Sequence, residues 1–208
     1  MISLIIFARA PQLGVGKRRL AASLGDPQTL TVYQALLARC ATAARAWPGP
    51  VSVYGCGDLT AFAASPLAAL PCQRQSAGSL AQRMAAALRC GLKQGPTLLI
   101  GSDCPNLDGE HLSEMHQLLD RQQMVFGPAT DGGYWAIGLR DEALVDTVCA
   151  ADLPWSQSQL LNQSLAKLQQ QGITAGLGPV LNDCDTASDL ATAVAAGFTY
   201  EPHTEHIL

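Results

Sequence analysis

Long hydrophobic runs are missing from this 208-residue chain, and the first apolar segment, Ile2 to Ala8, is far too short to cross a bilayer. It has no basic stretch before it and no small-residue cleavage site after it, so the expectation is an untargeted cytoplasmic protein that makes no use of a membrane. An excess of positive charge is also lacking, since 13 Lys and Arg stand against 17 Asp and Glu for a net charge of −4. General nucleic-acid binding needs the opposite balance, because affinity comes from displacing phosphate counterions. No cysteine pair has C-x-x-C spacing and no histidine lies near one at zinc-finger spacing. The seven cysteines, Cys40, Cys56, Cys72, Cys90, Cys104, Cys149 and Cys184, are therefore expected to be mostly buried, reduced thiols. His111, His116, His203 and His206 form no ligand constellation and are expected to be solvated or packed.

Charged residues make up only 14% of the chain and apolar ones 48%, the reverse of a disordered composition. There is no internal repeat, low-complexity tract or linker-like break, so residues 1–208 are expected to form one domain. What basic charge exists is clustered: Arg9, Lys17, Arg18 and Arg19 share one N-terminal stretch and can form a local positive patch on an acidic protein.

The order of segments has a β-α-β rhythm. Ser3 to Ala8 suits a buried central strand, followed by a Pro- and Gly-marked loop from Arg9 to Gly16, a helix from about Lys17, and a second helix from Pro27 towards Ala46. Val51 to Gly55 predicts a strand, Ser79 caps a helix reaching Gln94, and Thr97 to Gly101 predicts another buried strand. A helix over Glu110 to Arg121, strands at Met124 to Phe126 and Tyr134 to Gly138, and helices over Ser156 to Gln171 and Thr186 to Ala196 complete the pattern. Such alternation predicts an α/β fold with a mostly parallel sheet covered by helices on both faces.

In such sheets ligands bind outside the carboxyl ends of the strands, which directs attention to three segments that follow strands. In the first, Gly14 and Gly16 let backbone N–H groups approach an anion while Lys17 and Arg19 add charge. It is neither a Walker loop, which needs Gly at Pro11 and Ser or Thr at Arg18, nor a dinucleotide fingerprint, which needs Gly at Arg19. The bland alternative is a glycine turn before a solvated basic helix end. In the second, Asp103 emerges from a buried strand ahead of Pro105, a placement that suits a hard cation bound by one or two carboxylates, although an aspartate there can also cap the next helix. In the third, Asp131-Gly132-Gly133 reads either as a hairpin turn or as a backbone wall beside a ligand, with Tyr134 next to it. Asp183-Cys184-Asp185 offers further carboxylates that could join Asp103 at a metal, or an ordinary helix start with Asp185 or Thr186 as cap and Asp189 in the first turn. Ser156, after Trp155, is either a helix cap or a substrate contact.

Taken in order, Phe7-Ala-Arg-Ala-Pro11 with Gly14 and Lys17-Arg-Arg-Leu20, Gly78-Ser-Leu-Ala-Gln-Arg-Met84, Ile100-Gly-Ser-Asp-Cys-Pro105, Gly127-Pro-Ala-Thr-Asp-Gly-Gly-Tyr134, Trp155-Ser156 and Asp183-Cys-Asp-Thr186 resemble a known family. It is the glycosyltransferase-A-like family of the nucleotide-diphospho-sugar transferase superfamily, related to 2-phospholactate and molybdenum-cofactor guanylyltransferases. The resemblance spans nearly the whole chain. It implies the nucleotide-diphospho-sugar transferase fold, Mg²⁺ or Mn²⁺ at Asp103 with Asp185 as second ligand, and catalytic roles for Lys17, Arg19 and Asp103. It further implies nucleotide or substrate contacts from Ala8, Arg9, Gly14, Arg83, Asp131, Gly132, Gly133, Tyr134, Trp155 and Ser156. The family's Lys-Thr-Arg-Leu is here Lys-Arg-Arg-Leu, so Arg18 replaces a hydroxyl.

The expected activity is nucleotidyl transfer from a nucleoside triphosphate to a small phosphorylated or hydroxylated acceptor. The alternative is glycosyl transfer from a nucleotide sugar, which many relatives perform with a D-x-D whose first position is here Gly101. The third possibility is a nucleotide-binding module without turnover.

Overall fold

The apolar run at the start of the chain becomes strand β1 (Ser3–Arg9), paired in parallel on one side with β2 (Val51–Cys56) and on the other with β4 (Thr97–Ile100). The structure, a computed structural model, describes residues 1–202. His203 and His206 lie outside the described residues. The sheet is completed by β3 (Cys72–Arg74), β5 (Met124–Pro128), β6 (Tyr134–Leu139) and β7 (Gly176–Leu177), in the order β3-β2-β1-β4-β6-β5-β7. Among the described residues only β6 runs against its neighbours, antiparallel to both β4 and β5. The expected α/β fold with a mostly parallel sheet and two covered faces is therefore what forms.

Alternation along β1 sends Leu4, Ile6 and Ala8 to one face and Ile5 and Phe7 to the other, and each face builds its own core. The first is covered by α1 (Arg18–Leu24), α2 (Asp26–Ala44), α4 (Gly109–Arg121) and α7 (Ala187–Ala195), through residues such as Leu20, Leu36, Met115 and Leu190. The second is covered by α3 (Leu80–Leu92), α5 (Val145–Val148) and α6 (Leu160–Gln170), through Met84, Leu88, Val145 and Leu168. Each fully buried Leu or Ile contributes about 1.5–3 kcal/mol, so both faces are needed to hold the sheet. Trp47 ties the end of α2 to the sheet by donating its Nε1–H to Ile2 O at 3.0 Å.

Helix starts follow their caps. Ser79 and Gln82 form a capping box on α3, Thr186 and Asp189 form one on α7, and Asp108 caps α4 by accepting from His111 N. Among the described helices Asp103 and Asp185 are not the caps, and their carboxylates pair instead with Lys17 and Arg19. Ser156 is not a cap either: it adopts a left-handed backbone with φ 62°, and α6 begins only at Leu160 behind Gln159. Of the seven cysteines, all free, Cys40, Cys104, Cys149 and Cys184 are buried, Cys56 is half-buried, and Cys72 and Cys90 are exposed. Among the described residues no helix is long and apolar enough to cross a membrane.

Candidate active site

A cleft of about 840 Å³ opens where β1 and β4 end and β6 begins. One flank is the loop after β1. The Tyr33 hydroxyl on α2 fixes its base, accepting from Arg9 N at 2.9 Å and donating to Arg9 O at 3.0 Å, with Ser102 Oγ 3.3 Å away. One phenol therefore holds together the ends of the two strands that carry the basic loop and Asp103. Gly14 and Gly16 turn the loop at φ 73° and 79°, and Lys17 follows in the left-handed region at φ 41°. For a residue with a Cβ that conformation costs about 1–2 kcal/mol.

The turn aims the Lys17 side chain inward, where it is only 6% exposed and Nζ lies 2.6 Å from Asp103 Oδ1. The same ammonium is 2.8 Å from Cys184 O and 3.3 Å from Asp185 Oδ1. Burial alone would lower the Lys17 pKa, but Asp103 first and Asp185 after it outweigh that and hold it above its ordinary value. Arg19, 71% exposed, reaches Asp185 Oδ2 at 2.6 Å from the rim. Exposed pairs of this kind add little stability, so Arg19 contributes positive charge to the rim of the cleft more than it holds the fold together.

Asp183 lies behind this pair. Burial pushes its carboxyl up to about 6; the bond donated by Cys104 Sγ at 3.2 Å works against that, and Asp103, Asp131 and Asp185 add to it. Among the described residues no group of three or more His, Cys, Asp or Glu is disposed to hold a metal ion. The donor set that fits one is the pair already joined by a single ammonium, Asp103 and Asp185, with side chains 45% and 43% exposed. Two hard carboxylates open to solvent suit Mg²⁺ or Mn²⁺, which keep waters and substrate phosphate oxygens as their remaining ligands.

The other flank belongs to α3. Gln75 is buried, its Nε2 donating to Tyr54 O at 2.7 Å and Ala8 O at 3.2 Å, which turns its Oε1 to accept from Arg83 Nη1 at 2.6 Å. Phe7, Met84, Leu99, Ile137, Trp155 and Leu160 give this side an apolar lining. Trp155 is oriented by donating Nε1–H to Ala150 O at 2.9 Å, and Tyr134 packs on Phe126 with ring centroids 5.0 Å apart.

Of the residues expected at the site, Ala8, Arg9, Gly14, Lys17, Arg19, Arg83, Asp103, Tyr134, Trp155 and Asp185 line this cleft. Asp131, Gly132, Gly133 and Ser156 are not among its lining residues. The first three form the β5–β6 turn, where Asp131 Oδ1 accepts from Gly133 N at 2.8 Å. Gly132 sits at φ 87° with its backbone against Ser158 O, so a Cβ has no room. Gly132→Ala is expected to cost more than about 1 kcal/mol and lower Tm by at least ~2–4 °C in a thermal melt. An unchanged Tm would show that this turn relaxes freely. Tyr33 and Gln75 are site-forming residues that sequence reasoning did not place there; neither carries a local signal, because their partners are distant in the chain.

The family described as "Uncharacterized protein conserved in bacteria (DUF2064)" matches residues 36–157, more than half of the chain. No curated protein matches it. Among solved structures, the chain is similar to a "putative nucleotide-diphospho-sugar transferase" from Desulfovibrio desulfuricans G20, with 23% identity over 91% of this chain and 84% of that one, at a TM-score of 0.83. It is similar to CMP:2-keto-3-deoxy-manno-octonic acid synthetase complexed with CTP, at 13% identity over 94% and 97% of the two chains and a TM-score of 0.56. A third similar structure is Rv0371C from Mycobacterium tuberculosis H37Rv in complex with manganese, at 15% identity over 94% and 98% and a TM-score of 0.55. Likeness at these identities establishes a shared nucleotide-diphospho-sugar transferase fold. The chain belongs to the DUF2064 family.

Proposed function

From membership of this family and the cleft just described, we propose that the chain is a single-domain, cytoplasmic, metal-dependent transferase whose reaction is nucleotidyl transfer from a nucleoside triphosphate to a small acceptor. The observation that carries this is the Lys17 ammonium shared by Asp103 and Asp185 at the ends of β1 and β4. The resemblance of its motifs to those of the 2-phospholactate and molybdenum-cofactor guanylyltransferases supports it, as do a similar structure complexed with CTP and another in complex with manganese.

In this reaction an acceptor oxygen attacks the α-phosphorus, the bond from that phosphorus to the oxygen bridging to the β-phosphate breaks, and pyrophosphate leaves with the electron pair. Such a step is served by positioning and charge neutralisation. Lys17 and Arg19 balance the charge of the phosphates, while Ala8 and Arg9 at the end of β1 and Gly14 in the loop after it lie against them. Asp103 and Asp185 would hold Mg²⁺ or Mn²⁺, which when bound supplies a Lewis-acidic charge to phosphate oxygens. Arg83, Tyr134 and Trp155 contact the remainder of the nucleotide or the acceptor. Asp131, Gly132, Gly133 and Ser156 shape that wall from behind.

Glycosyl transfer from a nucleotide sugar is the second reading, favoured by the similarity to the Desulfovibrio protein. The two are separated by incubating the protein with Mg²⁺ or Mn²⁺, panels of nucleoside triphosphates and nucleotide sugars, and candidate phosphorylated acceptors. Acceptor-dependent release of pyrophosphate is expected. Release of nucleoside diphosphate instead would make the chain a glycosyltransferase, and binding without either product a nucleotide-binding module.

A further inference from the structure

Strand β1 outruns its neighbour on one side. It stays paired with β2 up to Arg9 opposite Cys56, whereas its pairing with β4 ends at Ile6 opposite Ile100. The chain after β4 keeps to β6, Gly101 N donating to Trp135 O at 2.8 Å, and the cleft lies where β1 and that chain part. Ser3 N bonds to Pro96 O, just ahead of β4, and Leu4 N to Pro50 O, just ahead of β2, so the odd-numbered residues of β1 turn their N–H and C=O towards β4. Arg9 is one of these and lies beyond the last β1 residue paired with β4, which leaves both of its backbone groups without a strand to meet. Tyr33 takes the place of that strand. Its hydroxyl accepts from Arg9 N and spends its only proton on Arg9 O, so in the remaining contact, at 3.3 Å, Ser102 Oγ is the donor.

One hydroxyl thus spans two diverging chains. Arg9 leads into the loop that carries Lys17, and Ser102 is joined directly to Asp103. Lys17 Nζ is also 6.0 Å from the centroid of the Tyr33 ring. Burial first, and Asp103 after it, hold the phenol above its ordinary pKa, so it keeps the proton it gives to Arg9 O. We propose that Tyr33 is a positioning residue of the site: its hydroxyl sets how far β1 stands from the chain after β4, and through that the placement of Lys17 against Asp103. What the placed pair binds rests on the nucleotide-transferase reading above; the placement itself can be observed without a ligand. A tyrosine that served the core alone would act through its ring, and phenylalanine would replace it. A side chain that holds site residues by hydrogen bonds acts through their geometry, where small errors weaken binding and slow reaction.

The Lys17 ammonium is the probe. In protein carrying ¹⁵N in its lysine side chains, signals can come only from Lys17, Lys93 and Lys167, and Lys17→Met assigns the first. Buried and bonded to Asp103, the Lys17 ammonium of wild type is expected to exchange its protons with water slowly enough to be seen by magnetic resonance. In Tyr33→Phe that exchange is expected to be faster by roughly tenfold or more, and affinity for a panel of nucleoside triphosphates with Mg²⁺, read by calorimetry, lower by roughly tenfold or more. Ser102→Ala, which cuts only the β4 end of the bridge, should move both in the same direction by less. Leu37→Ala controls for stability: it opens a cavity under the same helix without lining the cleft, and should lower Tm while leaving exchange and nucleotide affinity as they were. Unchanged exchange or unchanged nucleotide affinity in Tyr33→Phe would overturn the proposal, as would equal effects in Leu37→Ala. If Tyr33→Phe does not fold, Ser102→Ala decides alone, and wild-type exchange in it ends the proposal. If no nucleotide binds the wild type, the transferase reading fails by itself and the exchange measurement still decides.

Discussion

Lys17→Met is expected to weaken nucleotide binding and at the same time strengthen the binding of Mn²⁺ to the nucleotide-free protein. The two effects have one cause. The ammonium touches Asp103 Oδ1 at 2.6 Å and Asp185 Oδ1 at 3.3 Å, and these are the oxygens a divalent ion would need. Hydrogen bonds to charged groups contribute about 1.5–3 kcal/mol each, so losing the phosphate contact of Lys17 should reduce nucleotide affinity roughly 10- to 100-fold. Removing a resident cation frees the carboxylates, and their mutual repulsion then favours any cation that replaces it. Titration of Mn²⁺ followed by electron paramagnetic resonance reads the second effect without any turnover. A Mn²⁺ affinity that falls or stays constant would show that lysine and metal do not compete for these oxygens. By linkage, whatever anion draws Lys17 towards itself also raises metal affinity, so metal and nucleotide are expected to enter together.

Asp103→Asn is expected to abolish metal-dependent nucleotide binding and lower turnover by about 10²–10⁴-fold, the loss of several kcal/mol of charge stabilisation. The substitution is nearly isosteric and should leave the fold alone. The neighbours Ser102 and Cys104 stay buried, and the backbone carbonyl of Asp103 still accepts from Cys184 N at 3.0 Å. The decisive comparison is nucleotide affinity with and without Mn²⁺ in wild type and variant. Equal dependence on Mn²⁺ in both would remove the metal from Asp103. Asp185→Asn should do less harm to metal binding, because that carboxylate is shared with Arg19 at the rim.

How far the sequence led differs from element to element, for physical reasons. Strands β1 and β4 were legible because they are buried on both faces and read as unbroken apolar runs, and α3 and α7 because their capping boxes lie within four residues of sequence. Strand β3 has three exposed residues and β7 has two residues, so neither offers a hydrophobic period. The β5–β6 turn was visible as Asp-Gly, but that β6 also pairs antiparallel with β4 is decided only by the finished sheet. Ser156 resembles a cap in sequence and is taken out of helical geometry by its left-handed backbone. At the site, the residue types were readable and their pairings were not. Lys17 meets Asp185 across 168 positions, and Gln75 meets Ala8 across 67, distances over which no local pattern acts. Tyr33 lies within the buried face of α2, where an aromatic residue reads as ordinary core.

The reversed direction of β6 has an evolutionary consequence. Because Ile100 pairs with Ala136, the β5–β6 turn emerges at the same end of the sheet as the basic loop, while the register of β4 with β6 is set deeper in the core. Tyr134, Trp155 and Leu160, which line the cleft from this side, therefore stand on other parts of the chain than Lys17 and Asp103, and can differ without altering the Lys17–Asp103 pair. Divergence among relatives is expected to fall on these three side chains more than on Lys17 or Asp103.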